Sequence, residues 1–262
     1  MSAAVCLVLR LAAPLQSWGS TGRHVRRDTA PQPTKSGIVG LLAAADGRRR
    51  TDPIEDLVGL TLGVRTDQAG QLLRDYHTVS RLDGSRMPKA ELSKSGKRQA
   101  SSTGDTKVTE RFYLADAVFT TAIGGPGDLL ARLAQAINQP RYALSLGRRS
   151  CPPTMPLHVS HRDGQALWPG TVTDVLAAVP WQAGRSERGK AVRQGRPSVD
   201  LVTHVDDVDG LEVSQDVPAT FHPKLRSMTS RRVTRSAVVI PTGVEAVTPS
   251  ADPHDPFALL GA

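Results

Sequence analysis

The chain has 262 residues, of which 39% are apolar, 22% charged and only 4% aromatic, an ordinary globular composition long enough for one large domain or two small ones. Its 33 Lys and Arg against 25 Asp and Glu leave a net charge of +8, so a polyanion is the first partner to consider. No run approaches the roughly 18 uninterrupted apolar residues of a membrane span, the start lacks the order of a secretory leader, and Cys6 and Cys151 have neither disulfide nor zinc-ligand spacing; a cytoplasmic protein without a membrane partner, its thiols buried as small apolar groups, is expected.

The excess charge is local. Residues 1–150 carry 22 basic and 13 acidic side chains, whereas residues 201–262 carry five and eight, which places a polyanion on the N-terminal part. Val5, Leu7, Leu9 and Leu11 alternate with Cys6, Val8 and Arg10 at period two and predict a first strand. A turn-rich stretch over 13–33 follows, holding Gln16, Ser17, Trp18, Arg23, Arg26 and Arg27. Thr34 is placed to cap a helix whose apolar face is Ile38, Val39, Leu41 and Leu42 and whose stop is Gly47. Gly37, Gly40, Ala43 and Ala44 recur along it, allowing close approach to another backbone.

A short helix is predicted over 53–59 and strands over 60–66 and 72–79, with Arg74, Tyr76 and Thr78 on one face and Asp75, His77 and Val79 on the other. A further strand over 111–122 and an amphipathic helix over 127–138, carrying Leu129, Leu130, Leu133 and Ile137, complete this part. The order predicts an α+β domain with a mainly antiparallel, ferredoxin-like sheet. Residues 80–111 hold eight basic and four acidic side chains and no aromatic, too little apolar surface for a core of their own. Structureless insertions of this length are usually functional or disordered, and a projecting arm, a β-hairpin that orders against a partner, is expected, the alternative being a solvated loop with no role.

In the second half the pattern predicts a helix over 171–179, a flexible basic loop over 183–198, a hairpin over 199–217 turning at Asp209 and Gly210, and a last strand over 232–240. One domain over 1–240, interrupted by the arm and followed by an irregular proline-bearing tail over 241–262, is the expected organisation.

The chain has no phosphate-binding G-x-x-x-x-G-K-[ST], no GxSxG elbow, no HExxH and no recognisable carboxylate pair, and His158 and His161 lack a third ligand; no metal or cofactor is expected. RNA cleavage without a metal needs a base, an acid and a cation, and Tyr76 with His77 draws attention. Adjacent residues on a strand point to opposite faces, so no catalytic residue is assigned and an endoribonuclease is the rival reading. Binding chemistry remains. Arginine forks match phosphate oxygens, which suits Arg148 and Arg149 beside Ser150, and a helix start favours anions, which suits Lys35 and Ser36. Trp18, beside Gln16 and Ser17, is placed to stack on a base or read its edge. The alternatives are a core role for Trp18, a solvated helix end for Lys35, and surface ion pairs for Arg148 and Arg149.

Four runs, LRLAAPLQSWG at 9–19, PTKSGIVGLL at 33–42, LRDYHTV at 73–79, and PRY at 140–142 with LGRRSCP at 146–152, resemble in this order the CasD family of type I-E CRISPR Cascade subunits, members of the repeat-associated mysterious protein (RAMP) superfamily. The resemblance implies a modified ferredoxin-like, RRM-like fold whose protruding β-hairpin thumb is the 80–111 arm. It also implies a non-catalytic subunit that binds the 5′ handle and first guide nucleotides of CRISPR RNA. Its protein partners would be the backbone subunit, whose filament it caps, and the large subunit, with target DNA met only through the complex. On that reading the RNA-binding set is Gln16, Ser17, Trp18, Arg23, Arg26, Lys35, Ser36, Arg74, Tyr76, His77, Arg148, Arg149 and Ser150, and sequence is read by base pairing rather than by this chain. The arm departs from the family in lacking aromatics, and the region after Pro153 matches no family motif.

Overall fold

Strand β1 (Val5–Ala12) is buried on both faces, with Leu7, Leu9 and Leu11 in the main core and Cys6 and Val8 in a second, smaller one. This computed structural model describes residues 4–19, 26–79, 88–92, 98–100, 107–222, 225 and 227–243. The turn-rich stretch after β1 forms two-residue strands β2 (Leu15–Gln16), β3 (Trp18–Gly19), β4 (Arg26–Arg27) and β5 (Thr29–Ala30). Helix α1 (Lys35–Ala45) starts where predicted: the Thr34 side chain accepts a bond from the Gly37 N–H at 3.2 Å. A Cβ on Gly37 would lie 2.7 Å from the Trp18 ring, so the small residue is what lets α1 close over the indole.

Helix α2 (Glu55–Val58) leads into β6 (Thr61–Gln68), then β7 (Gln71–Val79), β8 (Pro88–Leu92), β9 (Arg98–Ala100), β10 (Lys107–Ala115) and β11 (Val118–Gly124). Helix α3 (Gly127–Asn138) buries Leu130, Leu133 and Ile137 as its periodicity predicts. After it come β12 (Trp168–Pro169), α4 (Val172–Ala178), α5 (Arg185–Arg193), β13 (Ser198–Asp206), β14 (Glu212–Thr220) and β15 (Ser227–Pro241). The seven-stranded main sheet runs β12-β1-β11-β6-β13-β15-β14 with antiparallel neighbours throughout. Its first four strands follow the antiparallel order of a ferredoxin-like β-α-β-β-α-β unit. Helices α1 and α3 pack with the main core and α4 with the second.

Three expectations change. The strand expected over 111–122 is two strands in two sheets: Asp116 takes a positive φ of 56°, and β10 leaves the main sheet to pair with β7 on one side and with β2 and β4 on the other. Apolar residues run up to Asp116 from both sides and no glycine or proline interrupts them, so the sequence offers little to mark the break. The basic 183–198 segment is helical over α5, which buries Ala191 against Trp181, Leu201 and Ile240; a helix polar on nearly all sides carries no hydrophobic period to read. Strands β13 and β14 do not pair with each other, because β15, which begins at Ser227 rather than 232, runs between them with Val233 opposite both Asp206 and Glu212. Both thiols are buried, and burial followed by the Asp174 charge pushes Cys6 up to about 11.

Within the arm, β8 and β9 pair antiparallel, with Pro88 opposite Ala100 and Leu92 opposite Arg98. Residues 80–87, 93–97, 101–106 and the tail over 244–262 lie outside the described residues.

Candidate nucleic-acid interface

The turn after β1 is interior. Gln16 is fully buried; its amide donates to the carbonyls of Leu11 at 3.0 Å and Ala117 at 2.7 Å, and its Oε1 accepts from the Trp18 indole at 3.2 Å. Trp18 is 1% exposed, and the Ser17 hydroxyl donates to the Phe112 carbonyl at 3.4 Å. A ring enclosed on both faces has none left for a base, so Gln16, Ser17 and Trp18 form framework here rather than a contact surface.

The start of α1 is occupied as well. The Lys35 ammonium pairs with Asp206 at 2.8 Å, its main-chain N–H donates to Asp216 at 2.7 Å, and Arg231 grips Asp216 through two bonds of 2.7 and 2.9 Å while also pairing with Asp206. The anion that a helix start attracts is therefore supplied by the protein itself. Burial alone would raise the Asp216 carboxyl, but the bonds and charge of Arg231 outweigh it and hold the group below the usual aspartate range. Ser36 is buried against the Thr34 hydroxyl at 3.3 Å. Lys35 consequently braces the C-terminal strands and Ser36 the helix cap, instead of presenting donors outward, and Arg23 lies outside the described residues.

The remaining candidates gather on the β7–β10 ribbon and beside it. Pairing of Phe112 with Arg74, Glu110 with Tyr76 and Glu110 with Arg26 sets one face. There Arg26 lies 4.9 Å above the Phe112 ring, Arg74 pairs with Glu110, and Tyr76 is 62% exposed. His77, Thr109, Arg111 and Tyr113 share the opposite face, so Tyr76 and His77 diverge as the alternation predicts.

The 146–150 loop sits against that second face. Gly147 has φ +93° and stands so close to the Ser17 carbonyl that a Cβ would fall 1.6 Å from its oxygen, so only glycine can make the turn. Arg148 is thereby placed 4.6 Å over the Tyr113 ring, donating to the carbonyls of Phe112 at 3.1 Å and Arg27 at 2.7 Å. It clamps the loop to β10. Burial pushes the Tyr113 hydroxyl up, but bonds from Ser150 and Arg148 and the Arg148 charge prevail and hold it below the ordinary phenol value. Arg149 and Ser150 are exposed at the loop tip, and Arg149 has no ion pair among the described residues.

Arg111, Phe112 and Tyr113 join this candidate surface although the sequence does not single them out, because a single strand expected over 111–122 gives no sign that its first half forms a separate ribbon with β7. The available signal is a basic residue directly followed by two aromatics, in a chain with few aromatics.

The chain matches, over residues 6–234, the family model described as CRISPR-associated protein (Cas_Cas5). The chain belongs to the Cas5 family of CRISPR-associated proteins. It is 37% identical over 166 residues to the CRISPR system Cascade subunit CasD of Escherichia coli (strain K12), which covers 58% of this chain and 68% of that one. A solved chain titled CRISPR RNA-guided surveillance complex superposes with a TM-score of 0.74 at 33% identity, over 91% of this chain and 92% of the other. A second, titled Crystal structure of Cas protein, gives 0.63 at 32% identity, over 90% and 95%. This Cas5-family chain shares with them an α+β architecture dominated by antiparallel sheets, as the sequence predicted.

Proposed function

We propose that this chain is a non-catalytic RNA-binding subunit of a Cascade-type CRISPR surveillance complex that acts in the cytoplasm, holding the 5′ handle and first guide nucleotides of CRISPR RNA. Its protein contacts would be the backbone subunit, whose filament it caps, and the large subunit. The observation that carries this reading is the β7–β10 ribbon, which presents an exposed tyrosine and arginines on one face and holds against the other a loop whose Arg149–Ser150 tip is exposed beyond an obligatory glycine. Arginine forks next to aromatic rings suit single-stranded RNA, in which phosphates and splayed bases alternate. Arg26, Arg74, Tyr76, Arg149 and Ser150 are the contacts favoured, with His77 and Arg148 at the margin. The family membership and the Cascade relative support the assembly, and residues 1–240 are read as one domain with the 80–111 arm as its thumb.

A gel shift comparing handle RNA with a scrambled RNA of equal length across a salt series tests this. Preference for the handle, weakened by Arg149→Glu and Tyr76→Ala, is expected. Equal affinity for both RNAs would make the chain a general single-strand binder, and metal-independent, site-specific cleavage lost in His77→Ala would overturn the non-catalytic assignment.

A further inference from the structure

On the sheet face that carries α4, one transverse row reads Arg10, Thr120, Arg65, Thr203 and Ser236 across β1, β11, β6, β13 and β15. Three of these residues are answered internally. Arg65 is fully buried and donates to Asp67 at 2.8 and 3.1 Å and to the carbonyls of Leu176, Val179 and Pro180 at 2.5, 2.6 and 3.0 Å, closing the end of α4. The hydroxyls of Thr203 and Ser236 bond each other at 2.7 Å.

Arg10 and Thr120 are not. The Nε of Arg10 and the hydroxyl of Thr120 are buried without a hydrogen-bond partner among the described residues, and no carboxylate there pairs with the Arg10 guanidinium. Asp67, whose charge reaches Arg10, is already bound to Arg65 and to the Gln182 N–H at 2.8 Å.

Beside this row lies α5, whose Ala191 packs against Trp181, Leu201 of β13 and Ile240 of β15. The Gly184 N–H at its start donates to Gln68 at 3.1 Å, tying the helix to the end of β6. Helical spacing sets Arg185, Arg188 and the exposed Val192 along one stripe, flanking the buried Ala191. Lys190 pairs with Glu187 at 2.9 Å, whereas Arg185 and Arg188 have no ion pair among the described residues. Burial, followed by the charge of Arg188, depresses Arg10. Two like charges brought together over a buried donor with no acceptor are costly until an anion joins them.

We propose that Arg10 and Arg188, extended along α5 by Arg185, form a second phosphate-binding surface, separate from the ribbon, that takes the phosphodiester backbone of a nucleic-acid strand irrespective of its sequence. Two features favour a phosphodiester over an acidic protein. The donors are arginine forks ranged about one helical turn apart, which fits successive phosphates. Apart from Val192, the stripe offers no exposed apolar anchor of the kind that holds protein interfaces together.

The test is fluorescence anisotropy on the full chain with two labelled probes lacking any handle sequence, a duplex DNA and a single-stranded RNA, across a salt series. The Arg185→Glu/Arg188→Glu variant is compared with Arg162→Glu/Arg235→Glu, which makes the same change in net charge at exposed positions elsewhere. Expected is a roughly tenfold or greater loss of affinity for at least one probe in the α5 variant alone, with the logarithmic salt slope reduced by about two. The probe that loses affinity identifies the strand. Unchanged thermal melting and a retained preference for handle RNA separate this result from unfolding and from failure of the ribbon assignment. Equal losses in both variants, no loss in either, or displacement of the probe by polyglutamate as readily as by unlabelled nucleic acid would overturn the proposal.

Discussion

The stretch over 16–36 and the β7–β10 ribbon with its neighbouring 146–150 loop both offer aromatic and cationic residues with hydrogen-bonding companions, yet the first lies in the interior and the second on the surface. Trp18 is 1% exposed and Tyr76 62%. Lys35 finds its carboxylate at Asp206, 171 positions away, while Arg149 finds none among the described residues. A cation answered within the fold is framework. One left unanswered on an exposed loop remains available to an anion, and residue type alone does not separate the two cases.

The largest effects should come from the interior stretch. Trp18→Ala removes a fully packed indole and is expected to cost about 3–5 kcal/mol, read as a lowered urea midpoint, with any loss of RNA binding tracking the unfolded fraction. Lys35→Met leaves Asp206 short of one buried partner and should cost on the order of 3 kcal/mol. If instead Lys35→Met folds normally and loses handle RNA, Lys35 is a phosphate contact after all.

The same network sets an acid limit. Because the folded Asp216 value lies below the ordinary 3.8, its contribution is complete above that pH and is lost as pH falls through the lower folded value. Wild-type urea midpoints should therefore drop below pH 4, and Asp216→Asn should be less stable at pH 7 and flatter through that window.

At the surface the balance reverses. Arg149→Ala should change stability by no more than about 0.5 kcal/mol while lowering the logarithmic salt slope of RNA binding by about one, measured by anisotropy. The smallest effect expected concerns the buried thiols. With Cys6 pushed up to about 11 and Cys151 also raised by burial, neither should react with a thiol reagent at pH 8 until urea unfolds the chain.

Much of the fold could be read along the chain. The alternation over β1, the Thr34 cap and Gly47 stop of α1, the apolar stripe of α3 and the two faces of β7 all reappear in place. Each of these rests on residues within a few positions of one another. The division of the 111–122 run at Asp116, the insertion of β15 between β13 and β14, and the helix at α5 left no such local mark.

The candidate site was legible only in part. The arginines of the 146–150 loop and the outward faces of Arg74 and Tyr76 were in reach of the sequence, whereas the Tyr113 platform under Arg148 was not, because the sequence reads 111–122 as one strand and the structure divides it between two sheets. The sequence by itself determined the α+β class, the basic N-terminal part and the local start and stop of its main elements, because alternation, capping and charge are properties of neighbouring residues. Only the tertiary structure decided that Trp18 closes under Gly37, that Lys35 meets Asp206 and that the Arg10 Nε is buried without a partner among the described residues, because burial and pairing are made between residues the chain holds far apart.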